Sequence, residues 1–114
     1  MKCIALCLAI SGWLSAHSYG VPQRSAVLHS IQLESRFQPC IIRKVDGSAR
    51  LLQWLGPRRV ALERFAHSTR CPSWEVQMVF MDMELHSPRY ARFWATRDER
   101  VAFWVMREQF GQGR

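Results

Sequence analysis

Cysteines, histidines and one close pair of acids are the residues of this 114-residue chain whose types suit chemistry. Neither Cys40 nor Cys71 is accompanied by a CxxC or His-rich spacing. Metal ligation needs such clustering, so the expected role of this pair is a structural disulfide. Closing a loop of about 30 residues stabilises a small domain by roughly 3–4 kcal/mol in the chain-entropy model. His29, His67 and His86 lie far apart, and HExxH, GxSxG and Gly-rich phosphate loops are missing from the sequence. Asp82 and Glu84 are two residues apart. On an extended strand they share a face, where paired carboxylates suit acid/base work or a cation. The plainer reading buries Met81, Met83 and Leu85 and leaves the two acids in water. The expectation is therefore a protein that binds, with no catalytic residues, metal or cofactor.

Binding residues are suggested by composition. Tyr90, Arg92 and Trp94 share a strand face, with Arg89, Arg97, Arg100 and Arg107 close in sequence. Trp, Tyr and Arg dominate protein–protein hot spots, and the same pattern can stack single-stranded nucleic acid. A core Trp with solvated arginines on its rim ranks first, a protein contact second and nucleic acid, which a secreted protein meets less readily, a distant third. The net charge of +7 comes almost wholly from Arg, which favours fixed, bidentate contacts with carboxylates or phosphates.

These residues need elements to position them, and the first twenty read as a secretory signal. Lys2 supplies the positive charge and Cys3–Leu14 the apolar run. Ser18 and Gly20 fit the small positions for cleavage before Val21, or Ala16 and Ser18 for a cut before Tyr19. The run falls short of the roughly 20 residues that span a bilayer, so no membrane anchor is expected after cleavage. Cys3 and Cys7 would leave with the signal. Residues 21–39 then form an N-terminal arm with a first strand at Ser25–Glu34, and residues 40–110 the folded domain.

That domain reads as short apolar pieces about ten residues apart, each bounded by turn residues. Cys40–Val45 ends at Asp46-Gly47, a strong hairpin signal. Arg50–Leu55 stops at Gly56-Pro57, and Arg59–Phe65 follows. Trp74–Leu85 alternates and then changes parity, as a bent strand does. Tyr90–Ala95 and Val101–Met106 complete the series. The predicted fold is all-β: a small disulfide-stapled antiparallel β-sandwich of about six strands. The alternative is α+β with one or two short helices in 48–66, where Leu51, Leu52 and Leu55 also fit a helical stripe. A sandwich this small leaves a sheet edge open to strand pairing. The expected surface is Arg50, Leu52 and Trp54 with the basic turn Arg58 and Arg59, and the Tyr90, Arg92, Trp94 face second.

Cys40-Ile41-Ile42-Arg43-Lys44-Val45-Asp46-Gly47, with its hairpin partner and the distant Cys71, resembles the opening of the MAX effectors, secreted β-sandwich proteins of fungal plant pathogens. The resemblance implies a non-enzymatic, disulfide-stapled virulence factor that binds host proteins. Two features depart from that family: three strands rather than about four between the cysteines, and a longer N-terminal arm. A bacterial periplasmic or secreted binding protein, such as a hydrolase inhibitor or immunity protein, is the alternative.

Overall fold

The computed structural model describes residues 4–111, and over them the fold is all-helical. Six α-helices run in order: α1 Ala5–Ala16, α2 Val21–Ser35, α3 Pro57–Ala66, α4 Trp74–Leu85, α5 Ala91–Ala95 and α6 Glu99–Trp104. A 3₁₀ turn, Pro88–Tyr90, leads into α5, and α6 continues without a break into a π-helical segment, Val105–Phe110. No β-sheet forms among the described residues. The β-sandwich and the MAX resemblance are thereby overturned, and the α+β alternative fails with them for want of a sheet, although the short helix it placed within 48–66 is present as α3.

The physical reason is periodicity. Short apolar runs suit either element, and the burial pattern resolves them as 3.6-residue stripes. In α4 the buried positions are Gln77, Met78, Phe80, Met81 and Leu85. The change of parity read as a strand bend is one helical face sampled at two residues per step. Met83, placed in the core by the strand reading, is 55% exposed. Asp82 and Glu84, two apart on a helix, diverge by about 200° rather than sharing a face. Ser73 caps α4, its Oγ accepting from Val76 N at 3.2 Å, and Glu75 adds a favourable charge to the first turn. In α2 the buried stripe is Gln23, Ala26, Val27, Ser30, Ile31 and Ser35, small enough for close approach by α6, its main neighbour.

The apolar segment read from sequence as a secretory signal forms α1 in the full chain. Cys7, Ile10 and Leu14 fall on one face and are almost wholly buried, with Tyr19 beyond the helix end. Cys7 is itself disulfide-bonded. Tyr19 donates to Asp82 Oδ1 at 2.6 Å and meets Trp94 edge-on at 4.8 Å. Arg24 Nη1 donates to the Tyr19 carbonyl at 2.6 Å. Gln23, buried at the start of α2, donates from Nε2 to the carbonyls of Phe93 and Thr96, both at 2.8 Å. α1 and α5 are thus joined through the same junction. No helix among the described residues is long and apolar enough to cross a membrane.

Between α2 and α3 lies a non-helical connection, held by the expected Cys40–Cys71 disulfide, whose Cα atoms are 5.2 Å apart. Here the hairpin signal is correct locally. The chain turns at Asp46-Gly47, with Arg43 N donating to Ser48 O at 2.8 Å and Arg50 N to Ile41 O at 2.7 Å. It turns again at once, Ala49 and Trp54 exchanging two backbone bonds of 2.9 Å. Only single bridges result, Ile42 with Ala49 and Ala49 with Trp54, so no strand propagates.

Candidate active site

The second of these turns is buried, which is unusual for a connection. Every residue from Ser48 to Trp54 is at most 5% exposed. Its polar groups are paired inside the protein. Ser48 Oγ donates to Gln53 Oε1 at 2.9 Å, and Gln53 Nε2 to the Arg50 carbonyl at 2.7 Å. Leu51 N donates to Gln77 Oε1 at 2.9 Å, while Gln77 Nε2 donates to the Pro39 and Pro72 carbonyls. Arg50 Nη1 donates to the Cys40 carbonyl at 3.0 Å. Burial, followed by the neighbouring Arg59, pushes the Arg50 guanidinium pKa down.

The backbone around this connection is strained. Arg36, Phe37, Arg50 and Gln53 all have positive φ, at 52°, 59°, 76° and 54°. Such conformations cost roughly 1–3 kcal/mol each in non-glycine residues and gather at functional sites. The first two end α2. Arg36 N closes the last turn onto Gln32 O, and Phe37 then drops into the core.

The last turn of α2 carries Glu34, whose side chain is only 9% exposed. Two guanidinium groups hold it. Arg107 Nη1 donates to Oε1 at 2.6 Å, across 73 residues. Arg43, from the first turn of the connection, donates from Nη2 to the Glu34 carbonyl at 2.9 Å and lies 3.8 Å from Oε2. Arg107 belongs to the π-helical segment, a rare geometry that recurs at functional sites. Ser30 Oγ, one turn before Glu34, and Gln109 Oε1, two residues after Arg107, are buried without a hydrogen-bond partner among the described residues. Buried polar atoms of that kind are rare in folded proteins.

The residues predicted to bind from sequence are placed elsewhere. Arg50, Leu52 and Trp54 lie within the buried turn, and the sheet edge they were to form is not there. Trp54 donates from Nε1 to Glu84 Oε1 at 2.7 Å. Arg58 grips the same carboxylate, Nε to Oε2 at 2.9 Å and Nη2 to Oε1 at 2.7 Å, and reaches the Phe110 carbonyl at 2.7 Å. Glu84 is therefore a hub of packing rather than a water-facing acid. Arg59 Nη1 donates to the Gly47 carbonyl at 2.7 Å, bracing the first turn. Tyr90 is buried beside Phe110, and Trp94 is half-buried, donating to the Leu85 carbonyl. Arg92 is exposed over the Trp104 ring. On a helix these three do not share a face, and only Arg92 reaches solvent freely.

Sequence reasoning gave Glu34 and Arg43 no binding or catalytic role and met Arg107 only as one of several arginines near the Tyr90, Arg92, Trp94 face. The signal open to it was a carboxylate closing a stripe of small and apolar residues at Ala26, Val27, Ser30 and Ile31, which reads as a helix end once the period is taken as 3.6. Comparison with protein-family models, curated proteins and solved structures finds no match to this chain.

Proposed function

We propose that the protein is an enzyme that cleaves glycosidic bonds in a polysaccharide, with Glu34 as the group that gives and takes the proton. The observation that carries this reading is the shielded Glu34 carboxylate, held at the carbonyl end of a helix that closes on the strained Arg36 and Phe37. Stability alone does not call for such an arrangement, because buried ion pairs often contribute less than apolar packing of equal volume. Clustered backbone strain favours a functional site.

The bond follows from what one positioned carboxyl does best. A glycosidic bond is an acetal, and its cleavage is driven by protonation of the leaving oxygen. In the proposed reaction Glu34 delivers its proton to that oxygen as the C–O bond breaks. An incoming hydroxyl, from water or the sugar, then bonds to the anomeric carbon and returns a proton to the carboxylate. Arg107 on Oε1 fixes the plane of the group, so Arg107 is a positioning residue. Two features support an oxidising site of action outside the cytoplasm: the Cys40–Cys71 disulfide and the disulfide-bonded Cys7.

The test is fragment release from a panel of polysaccharides, bacterial cell-wall glycan and chitin among them. Wild-type protein should produce new reducing or anhydro ends from at least one. Glu34→Gln should lower that rate by about 100-fold or more, the range for loss of a general acid. Arg43→Gln, which weakens the cluster but spares the carboxyl, should retain measurable cleavage. No fragments from any polymer, or full activity in Glu34→Gln, would leave the cluster a structural clamp.

A further inference from the structure

Where α6 runs into the π-helical segment, Ala102, Val105 and Met106 are buried. Trp104 falls on the other side and is 45% exposed. Its ring lines a cavity of about 520 Å³ together with Arg92, Asp98, Arg100 and Val101. That volume lies within the roughly 300–1,000 Å³ usual for small-molecule sites. The Arg92 guanidinium stands over the indole, 5.5 Å from its centroid, which limits the orientations of both side chains. Asp98 accepts from Arg100 N at 2.9 Å and from its Nη2 at 3.3 Å. Arg100 also lines a second cavity, of about 210 Å³, with Glu99, Phe103 and, from α2, Ser25 and His29. There Phe103 meets His29 edge to face at 5.9 Å. Two aromatic rings, two guanidinium groups and two carboxylates thus share adjoining concavities.

From this lining we infer that the protein carries a second, non-catalytic binding surface, built on Trp104 and Arg92, that holds uncharged sugar rings of a saccharide chain. A pyranose presents C–H groups on its faces and hydroxyls at its edge. The faces pack on an indole plane, and the edge finds acceptors in Asp98 and donors in Arg92 and Arg100. Charge balance selects the class. Arg92 and Arg100 are matched by Asp98 and Glu99, so the lining has no cation excess of the kind that draws nucleic acid. Arg97, which would tip the balance, lines a different cavity with Trp94. The surface lies apart from the Glu34 cluster, since His29 precedes Glu34 by about 7.5 Å along α2. The inference goes beyond the catalytic reading of Glu34 and does not depend on it.

Equilibrium binding tests it, measured on the full chain carrying Glu34→Gln so that no probe is cut. The probes are the hexasaccharides of chitin and of cellulose, with polyglutamate and oligothymidylate as charged controls. At least one hexasaccharide should bind, and Trp104→Ala should weaken that binding about tenfold or more, equal to ~1.4 kcal/mol. Arg92→Gln, at an exposed position, should weaken it about threefold. Raising NaCl from about 0.05 to about 0.5 M should change the affinity less than about twofold, because an uncharged ligand releases no counterions. Among the five indole N–H resonances, the one missing from Trp104→Phe should shift on titration, which locates the sugar even if Trp104→Ala does not fold. No binding of either hexasaccharide, or binding that leaves the Trp104 resonance unmoved, overturns the inference. So does tighter, salt-sensitive binding of either charged control, which would assign the surface to a polyanion. Sugar binding that depends on Trp104 upholds the surface even if the wild-type protein cuts no polymer, and its absence leaves the role of Glu34 untouched.

Discussion

Tyr19 shows how one hydroxyl couples the N-terminal segment to the rest of the protein. It is 2% exposed, and burial, reinforced by its bond to Asp82, pushes its pKa well above the ordinary phenol value near 10. A folded pKa raised above the unfolded one gives stability that is complete below about pH 10. Above that, the unfolded chain releases its proton while the folded one keeps it, so stability falls by up to about 1.4 kcal/mol per pH unit. Tyr19→Phe should remove this alkaline loss. It should also cost about 1 kcal/mol near neutrality, where Asp82 loses a donor. Urea midpoints at pH 7, 9 and 10.5 check both signs, and parallel pH curves for the two proteins would contradict the assignment. At Glu34 the same scale of argument separates chemistry from clamp. The Glu34→Gln variant retains shape and loses the proton, so cleavage and thermal midpoint should respond very differently.

Among the elements, α1 carries the sharpest expectation. Its Cys3–Leu14 run has the apolarity of an export signal, yet Cys7, Ile10 and Leu14 occupy the core, and Tyr19 completes the junction with α4 and α5. A cut before Val21 would remove all four side chains and uncover the faces they cover. We therefore expect residues 5–20 to stay with the folded protein. A chain starting at Val21 should fail to unfold cooperatively, and Leu14→Ala in the full chain should cost about 2–5 kcal/mol, the range for emptying a buried leucine site. Intact mass of the protein recovered in its folded, oxidised form is the direct check. A species starting at Val21 with a sharp thermal transition would restore the signal reading.

At the scale of the whole molecule, the disulfide ties the non-helical connection to the entry of α4. Cys71 precedes the Ser73 cap by two residues, and Gln77 of the same helix donates to the carbonyls of Pro39 and Pro72. One staple thus holds both the strained backbone and the helix whose Gln77 supports the buried turn. Cys71→Ser should lower stability by about 2–5 kcal/mol, as losing a native disulfide does in a small domain. Because Arg43 sits on that connection, the variant should weaken cleavage further than its stability loss alone explains. Chemical denaturation and fragment-release assays on the same preparation give the comparison.

Several features were legible in the amino-acid order because their physics is local. The Asp46-Gly47 turn was one, since the turn conformation and the Asp46 bonds to Ser48 need only adjacent residues. Trp74–Leu85 was bounded correctly as an element, and Gly56-Pro57 marked a true boundary. The Cys40–Cys71 pairing followed from having one sensible partner. Whether each short segment became helix or strand was decided only by tertiary packing. Runs such as Arg59–Phe65 satisfy both periods, and the face that finds a neighbour prevails. The candidate site was less visible still. Glu34 and Arg107 are 73 residues apart, and nothing in either neighbourhood points to the other. Their meeting depends on α2 lying along α6, and on the π-helical continuation that brings Arg107 to the end of α2. The carboxylate became unusual only when the fold removed its water.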